Sequence, residues 1–249
     1  MLPAATTREI RDSAREIKFS VDAQTAARIR ARARELLSPD PYAGGLNADE
    51  YLTTTLYFDT ADHAVYRRRG SYRRAKHRIR RYGASDLVFL ERKLRTAELL
   101  SKRRTIVRHD DLPLLTAESP DAGWEGCWFH ERLLLRRLGA VCQVTYRRTA
   151  RVGMTDYGPI RLTIDEDLRA LAVDRPEFHD TGRAIALVGR TIVELKFRAA
   201  MPAVFKRVVE EFALRPEKIS KYRLAIEAVR PDVAAAAART FAGRKTAHA

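Results

Sequence analysis

Residues 74–80 read Arg74-Ala75-Lys76-His77-Arg78-Ile79-Arg80, so a cation stands at every second position. Successive side chains on a β-strand point to opposite faces, and all four cations would therefore share one face. Like charges spaced about 7 Å apart on one face repel one another and oppose folding. A chain that keeps such a row is expected to hold something polyanionic against it. The stretch therefore predicts a strand with one polyanion-binding face.

The same two-residue spacing recurs in three apolar stretches: Glu16-Ile17-Lys18, Glu91-Arg92-Lys93 and Glu194-Leu195-Lys196. Each would place its two charges on one face and its apolar residues on the other. Residues 161–165, Arg-Leu-Thr-Ile-Asp, follow the same alternation. A sheet with one face in water also alternates, so any single strand is ambiguous. Five such strands favour a closed antiparallel β-barrel that gathers the charges into a central tunnel, with helices covering its apolar outer face.

Composition points to an anionic partner. The 249 residues include 47 Lys and Arg against 32 Asp and Glu, which gives a formal net charge of +15. Nucleic acid, a membrane surface or a phosphorylated small molecule would all suit this charge. Cys127 and Cys142 have no CxxC spacing, so the sequence indicates neither a disulfide framework nor a zinc site and fits a reducing cytoplasm. No run approaches 18 apolar residues, which predicts a soluble protein.

The chain is predicted to form one domain, because no linker rich in Pro, Gly or Ser divides it. We expect a disordered N-terminus over residues 1–13, the domain over 14–230 and a flexible C-terminal tail over 231–249. Periodicity predicts helices near 22–37, 127–138, 202–212 and 220–229. It predicts strands near 16–20, 51–58, 72–82, 86–95, 101–108, 141–152, 160–168 and 191–197.

A solvent-exposed strand that binds nucleic acid is the main alternative for the cationic row, since phosphate contacts alone explain a basic face. A protein that binds single strands would interleave aromatic residues with the cations. Tyr72 and Tyr82 flank the row, and no aromatic residue stands within it. We therefore expect no nucleic acid partner.

Seven short motifs, in chain order, carry a resemblance to a known family. They are Leu56-Tyr57-Phe58-Asp59-Thr60, Arg78-Ile79-Arg80-Arg81-Tyr82-Gly83, Phe89-Leu90-Glu91-Arg92-Lys93, Tyr146-Arg147-Arg148-Thr149-Ala150, Arg161-Leu162-Thr163-Ile164-Asp165, Val193-Glu194-Leu195-Lys196-Phe197 and Ser220-Lys221-Tyr222. With them the chain resembles the VTC domain, the polyphosphate polymerase domain of the vacuolar transporter chaperone complex and its bacterial relatives. Such domains are triphosphate tunnel metalloenzymes related to the CYTH phosphatases. The likeness covers residues 14–228.

The resemblance implies an α+β fold: a closed eight-stranded antiparallel barrel, with helices packed outside, around a triphosphate tunnel. It implies transfer of the γ-phosphate of ATP onto a growing polyphosphate, with Glu194 holding Mn²⁺ or Mg²⁺ and Glu16 as a candidate second metal contact. The catalytic set would be Arg78, Arg80, Lys93, Arg148 and Glu194. Together with the cations of the alternating strands, the candidate phosphate-binding residues are Lys18, Arg74, Lys76, Arg78, Arg80, Lys93, Lys102, Arg104, Arg148, Arg161, Lys196, Lys218 and Lys221.

Two other activities stay open at this point. CYTH phosphatases usually open with Glu-x-Glu-x-Lys, whereas this chain has only Glu16-Ile17-Lys18 on the corresponding strand. The missing glutamate and the Lys218/Lys221 pair favour the polymerase over a hydrolase of inorganic triphosphate or nucleoside triphosphates. Retention of Glu194 favours catalysis over a non-catalytic module that binds polyphosphate or inositol phosphates.

The sequence also leaves two strand phases open. Arg103 competes with Lys102 and Arg104 for the inner face of its strand, and Arg147 competes with Arg148. ATP and polyphosphate are the expected partners in a cytoplasmic location, and an integral membrane protein that receives the product is a candidate partner.

Overall fold

An antiparallel sheet organises the computed structural model, which describes residues 8–11, 15–44, 48–95, 100–187, 189 and 191–246. Its strands are β1 (Arg8–Arg11), β2 (Arg15–Val21), β3 (Ser38–Pro39), β4 (Glu50–Asp59), β5 (Ala75–Tyr82), β6 (Leu87–Arg95), β7 (Leu100–Arg108), β8 (Gly139–Thr155), β9 (Gly158–Ala172), β10 (Ile185–Ala186) and β11 (Thr191–Phe197). The α-helices are α1 (Ala23–Leu36), α2 (Cys127–Leu135), α3 (Ala203–Glu211), α4 (Lys221–Val229) and α5 (Pro231–Thr246). Three 3₁₀ segments span Gly70–Arg74, His109–Thr116 and Thr181–Arg183.

The strands pair in the order β1-β7-β6-β5-β4-β8-β9-β11-β2, with β3 added to β8 and β10 added to β9. Every pair is antiparallel, which agrees with the predicted α+β class. The path ends at β1 and β2, and no ladder joins these two edges within the part of the chain that the structure describes. The predicted closed barrel is therefore not confirmed by hydrogen bonding. The sheet nevertheless curls strongly, because Lys93 of β6 lies 3.3 Å from Glu16 of β2, six strands away along the path.

Alternation along the strands sorts charged side chains to the inner face of this curl and apolar ones to the outer face. One group of buried outer residues, including Leu56, Ile79 and Leu90, packs with Phe129 of α2. Burial of each such side chain contributes roughly 1.5–3 kcal/mol, so this outer face holds the sheet to its helices.

A second apolar group lies on the same outer face farther along the sheet. It joins Leu162 of β9 and Leu195 of β11 to Ile29 of α1 and Phe205 of α3. Helices α1, α2 and α3 thus cover the outside of the sheet, as the alternation predicts. Helix α4 instead packs against the inner face, where the Tyr222 ring lies 5.3 Å from that of Tyr57.

Side-chain caps fix the starts of two helices where the sequence places them. The Asp22 carboxylate accepts a hydrogen bond from the Thr25 amide at 2.7 Å at the start of α1. The Ser220 hydroxyl accepts one from the Arg223 amide at 3.5 Å at the start of α4. Because the N-cap residue sets where a helix begins, Lys221 becomes the first residue of α4.

Both predicted tails contain regular structure. Residues 8–11 form β1 against β7, and the rest of 1–13 lies outside the described residues. Residues 231–246 form α5, in which an alanine run supplies high helix propensity. Val233, Ala234 and Ala237 pack against the apolar cluster that includes Tyr222 and Ile226 of α4. In the part of the chain that the structure describes, no helix is long and apolar enough to cross a membrane.

Candidate functional site

The inner face of the sheet and the start of α4 enclose a cavity of about 290 Å³. We call it the basic cavity, because ten of its 17 lining residues are cationic and two are carboxylates. The cations are Arg15, Lys18, Lys76, Arg78, Arg80, Lys93, Lys102, Arg148, Lys196 and Lys221, and the carboxylates are Glu16 and Glu194. Alternation on separate strands has thus concentrated positive charge in one concave space. Such a space attracts and retains polyanions.

Three strands meet at one buried carboxylate below the cavity. Glu91 of β6 is 1% exposed and lies between Arg78 of β5 and Arg104 of β7, its partners in register. Its oxygens accept from Arg78 Nε at 2.6 Å and Arg104 Nε at 2.7 Å, and Lys102 Nζ lies 2.9 Å away. Burial alone would raise the pKa of Glu91, but the adjacent cations hold that pKa well below its ordinary value. Glu91 is therefore an ionised anchor for the cations around it.

A second buried carboxylate joins the sheet to α4. Asp165 Oδ1 lies 2.6 Å from Arg148 Nε, and Asp165 Oδ2 lies 2.5 Å from Lys221 Nζ. Burial opposes ionisation, yet Arg148 and Lys221 lower the pKa of Asp165 to about 2. Lys221 and Arg148 also lie over the Tyr146 ring, at 5.0 and 5.2 Å from its centroid. This contact places the first residue of α4 at the cavity wall.

The two carboxylates that face the cavity share their lysines. Glu194 lies 3.4 Å from Lys18 and 3.0 Å from Lys196, while Glu16 lies 2.9 Å from Lys18 and 3.7 Å from Lys196. Burial and the Glu194 charge oppose ionisation of Glu16, but the lysines lower its pKa to about 2. The pKa of Glu194 lies well below its ordinary value for the same reason. Both groups are ionised acceptors at neutral pH.

This pair fits a hard divalent cation. Mg²⁺ in phosphate-handling sites is commonly held by one or two carboxylates, with phosphate oxygens and water completing its shell. Among the residues that the structure describes, no group of three or more His, Cys, Asp or Glu could hold an ion by itself. Glu194 and Glu16 can therefore supply part of a ligand set, and an incoming phosphate would have to supply more of it.

The positive charges of Lys76 and Lys102 are only partly balanced by neighbouring groups. Burial, followed by the neighbouring cations Lys18 and Arg78, lowers the pKa of Lys76 to about 8. Burial lowers the pKa of Lys102 to about 8 despite its contact with Glu91. The Lys76 ammonium donates to the Ser220 hydroxyl at 3.0 Å, which offsets less charge than a carboxylate would. An anion in the cavity would stabilise both ammonium groups.

The structure resolves the strand phases that the sequence left open. Arg103 faces outward, 4.2 Å from the centroid of the Trp128 ring, whereas Lys102 and Arg104 face Glu91. On β8, Arg147 is bound to the exposed Asp167 at 3.0 Å, and Arg148 faces inward.

Four predicted phosphate contacts lie outside the cavity lining: Arg74, Arg104, Arg161 and Lys218. Arg104 instead binds the buried Glu91 carboxylate at 2.6 Å. Arg74 belongs to the 3₁₀ segment before β5 and is exposed, so the prediction that it shares the strand face with Lys76 is wrong. The turn delays the strand until Ala75. Arg161 binds Asp40 at 2.6 Å and donates to the Tyr51 hydroxyl at 2.6 Å. Lys218 is exposed in the segment before α4.

Several lining residues were not predicted. Tyr57 and Tyr146 share the inner face, because Tyr57 pairs in register with Arg78, and Tyr146 stands two residues before Arg148. Arg15, at the start of β2, has the opposite parity to Glu16 and Lys18, so alternation does not predict its place in the lining. Extending the alternation of β8 by one step would have found Tyr146, whereas the place of Tyr57 depends on how β4 pairs with β5. Ser220 has no such signal, because its place depends on the docking of α4.

Comparison with known proteins gives a family match and similar folds. The family model described as the VTC domain matches residues 13–230. The crystal structure of a candidate adenylate cyclase from Bacillus halodurans is 14% identical, covers 85% of this chain and 95% of that one, and has a TM-score of 0.54. A candidate adenylyl cyclase from Hippeastrum, described as having a dominant triphosphatase activity, is 13% identical over 86% and 95% of the two chains, with a TM-score of 0.48. A Pyrococcus horikoshii protein is 14% identical over 86% and 99%, with a TM-score of 0.45. A search of curated protein sequences gives no match.

Proposed function

This chain belongs to the VTC domain family, and from that premise we propose that it is a metal-dependent polyphosphate polymerase. It would transfer the γ-phosphate of ATP onto the end of a growing inorganic polyphosphate and release ADP. The observation that carries the proposal is the basic cavity itself, in which ten cations surround a pair of ionised carboxylates.

The cations would bind and align the two phosphate chains. Arg78, Arg80 and Arg148 offer planar forks that suit bidentate phosphate contacts, while Lys93 and Lys102 supply point charges. We propose that the curled sheet acts as the wall of a closed tunnel, with the Lys93–Glu16 contact spanning the space between β6 and β2. A tunnel of this kind would let a linear product leave by sliding along successive cations.

Glu194, with Glu16 beside it, would hold the divalent cation, which we expect to be Mn²⁺ or Mg²⁺. When bound, such a cation would neutralise negative charge that develops on the phosphates during transfer. Lys18 and Lys196 lie within 3.4 Å of Glu194 and can shift their contacts to phosphate oxygens. The two carboxylates would thus hold the cation beside the lysines that are proposed to bind phosphate.

The reacting groups need little covalent help from the protein. In phosphoryl transfer, catalysis rests mainly on positioning and on stabilisation of charge. A terminal oxygen of the polyphosphate would attack the γ-phosphorus of ATP, the bond to the bridging oxygen would break, and ADP would leave with that electron pair. Lys221, held against Asp165 at the cavity wall, is placed to contact the same phosphates.

The cellular setting is part of the same proposal. We place the reaction in the cytoplasm, where ATP is the donor and polyphosphate is both acceptor and product. An integral membrane protein that takes up the product is the candidate macromolecular partner.

Product analysis tests the proposal. The purified chain is incubated with ATP and Mn²⁺ or Mg²⁺, and the products are resolved on a gel stained for polyphosphate. A ladder that grows with time and is lost with EDTA would support the polymerase. Free phosphate without a ladder would replace it with a tunnel hydrolase, and tight binding without turnover would replace it with a polyphosphate- or inositol-phosphate-binding module.

A further inference from the structure

Glu91 has a position that the proposed reaction does not yet use. It is 1% exposed beneath the basic cavity, and cations bind both of its oxygens. Arg78 binds Oε2, while Lys102 and Arg104 bind Oε1, all within 2.9 Å. Arg80 lies farther away, at 3.9 Å from Oε2. A carboxylate so surrounded has no free oxygen edge for a metal ion.

One role for such a group is simple charge offset. Each carboxylate near the cavity lowers its net positive charge by one and reduces repulsion among the cations. In that case neutralising Glu91 would make the cavity more positive and would strengthen its attraction for phosphate. The geometry of the contacts indicates a different role.

The Arg78 guanidinium is bound through Nε, the inner edge of its fork. A guanidinium is planar and rigid, so fixing Nε sets the direction in which both terminal nitrogens point. Arg78 lines the cavity, and those terminal nitrogens are the groups that would meet a phosphate. Arg104 is bound differently, because both its Nε, at 2.7 Å, and its Nη2, at 2.6 Å, contact Glu91 Oε1, and Nη2 also donates to the Tyr82 hydroxyl at 3.3 Å.

The strand register reinforces this arrangement. Arg78 and Arg104 stand directly opposite Glu91 on the two strands that flank β6. One carboxylate on the middle strand therefore reaches a cation on each side. The same carboxylate also binds Lys102, whose strand partner is Lys93 of the cavity wall.

We infer that Glu91 is a positioning residue, which aligns the Arg78 guanidinium group and the Lys102 ammonium for a phosphate chain in the cavity. Arg104, which is not part of the cavity lining, holds the Glu91 carboxylate in place. The inference rests on the proposed phosphate-binding function. Because alignment and charge offset predict opposite signs, one substitution separates them.

The test is the affinity of the full chain for inorganic tripolyphosphate, measured calorimetrically for the wild type and for Glu91→Gln. The substitution keeps the shape of the side chain and adds one positive charge to the cavity. If Glu91 aligns these groups, the variant should bind tripolyphosphate at least about tenfold more weakly than the wild type, a loss of about 1.4 kcal/mol in binding free energy. Equal or tighter binding by Glu91→Gln would overturn the inference.

A charge-matched control is Glu125→Gln, an exposed site that changes net charge by the same amount. It should bind tripolyphosphate like the wild type. If Glu91→Gln does not fold, Glu91→Asp decides, because it keeps the charge and withdraws the oxygens by one methylene. Alignment predicts the same tenfold loss for Glu91→Asp, and unchanged binding would overturn it.

A coupling experiment separates positioning from a general structural effect. In an Arg78→Met background, Glu91→Gln should weaken tripolyphosphate binding clearly less than it does in the wild type, since the guanidinium group that Glu91 aligns is absent. An equal loss in both backgrounds would contradict the role. A wild type that binds no tripolyphosphate would instead remove the proposed function, so the two failures are distinguishable.

Discussion

Glu194 and Lys18 stand directly opposite each other across the β11–β2 pair, with 3.4 Å between Oε2 and Nζ. The contact links a carboxylate that fits a metal ion to a lysine that lines the phosphate cavity. Lys196 approaches the other Glu194 oxygen at 3.0 Å. Carboxylate and ammonium groups at this wall can therefore exchange partners when a cation and a phosphate enter together.

Replacing Glu194 by Gln should abolish metal-dependent turnover while leaving tripolyphosphate binding largely intact without metal. The amide is a much weaker ligand for a hard cation, and loss of a negative charge does not weaken the attraction for phosphate. ADP formation under Mn²⁺ and calorimetric binding in EDTA measure the two effects. Glu210→Gln, on the exposed face of α3, is the matched control and should behave like the wild type. Normal turnover by Glu194→Gln would remove the metal-binding role.

Arg78→Ala should weaken tripolyphosphate binding by about 1.5–3 kcal/mol, the usual size of a hydrogen bond to a charged group. The matched control is Arg103→Ala, because Arg103 stands on the outer face over Trp128. Its loss should cost stability, about 0.5–1 kcal/mol for the exposed cation–π contact, with affinity unchanged. Equal affinities for the two variants would place Arg78 outside the binding site.

Affinity and stability should respond to pH in opposite directions. Lys76 and Lys102 have folded-state pKa values of about 8 against an ordinary value of 10.5, so between these values they are neutral when folded and charged when unfolded. The unfolded state then binds more protons, and stability should rise as pH increases from about 8 to 10.5. Tripolyphosphate binding should weaken over the same range because the cavity loses positive charge.

Tyr82 adds to the same trend at lower pH. Burial opposes its ionisation, but Arg80 and Arg104 lower its pKa to about 7. Urea unfolding and calorimetry at pH 7, 8 and 9 would measure both properties. A Lys76→Met/Lys102→Met variant should flatten the profiles above pH 8, and Tyr82→Phe should flatten them near pH 7. Affinity that rises with pH would contradict this account.

Tyr222→Phe should destabilise the fold by about 1.5–3 kcal/mol, because it removes a buried hydrogen bond to a charged acceptor. The Tyr222 hydroxyl donates to the buried Asp59 carboxylate, which also accepts from the amides of Val65 at 2.7 Å and Tyr66 at 2.9 Å. These bonds join α4 to the end of β4. The control is Tyr157→Phe, since Tyr157 is 65% exposed and its loss should fall within about 0.5 kcal/mol. Equal unfolding midpoints in urea would show that the bond contributes no net stability.

Alternation made much of the inner face predictable from sequence. Lys18, Arg78 and Glu194 each stand one step from an apolar residue that packs in the outer core, so that core fixes their direction. Alternation cannot assign a face where the first residue of a strand is unknown or where several cations follow one another in the chain. Arg74 illustrates the first limit, because a 3₁₀ turn ends only at that residue.

Two further limits come from packing between distant segments. The Lys102/Arg103 phase is decided by Trp128 of α2, which covers Arg103 from outside and lies outside the strand pattern. The approach of Lys221 to Asp165 depends on how α4 docks, since 56 residues separate the two in the chain. Local periodicity carries no information about such contacts, and tertiary packing decides them.

The central claim is tested most directly by accounting for phosphate in a time course with ATP and Mn²⁺. ADP, free orthophosphate and polymer-bound phosphate are measured in parallel for the wild type and Glu194→Gln. The account predicts one polymer-bound phosphate for each ADP, little orthophosphate, and no turnover in the variant. Orthophosphate equal to ADP with no polymer would contradict it.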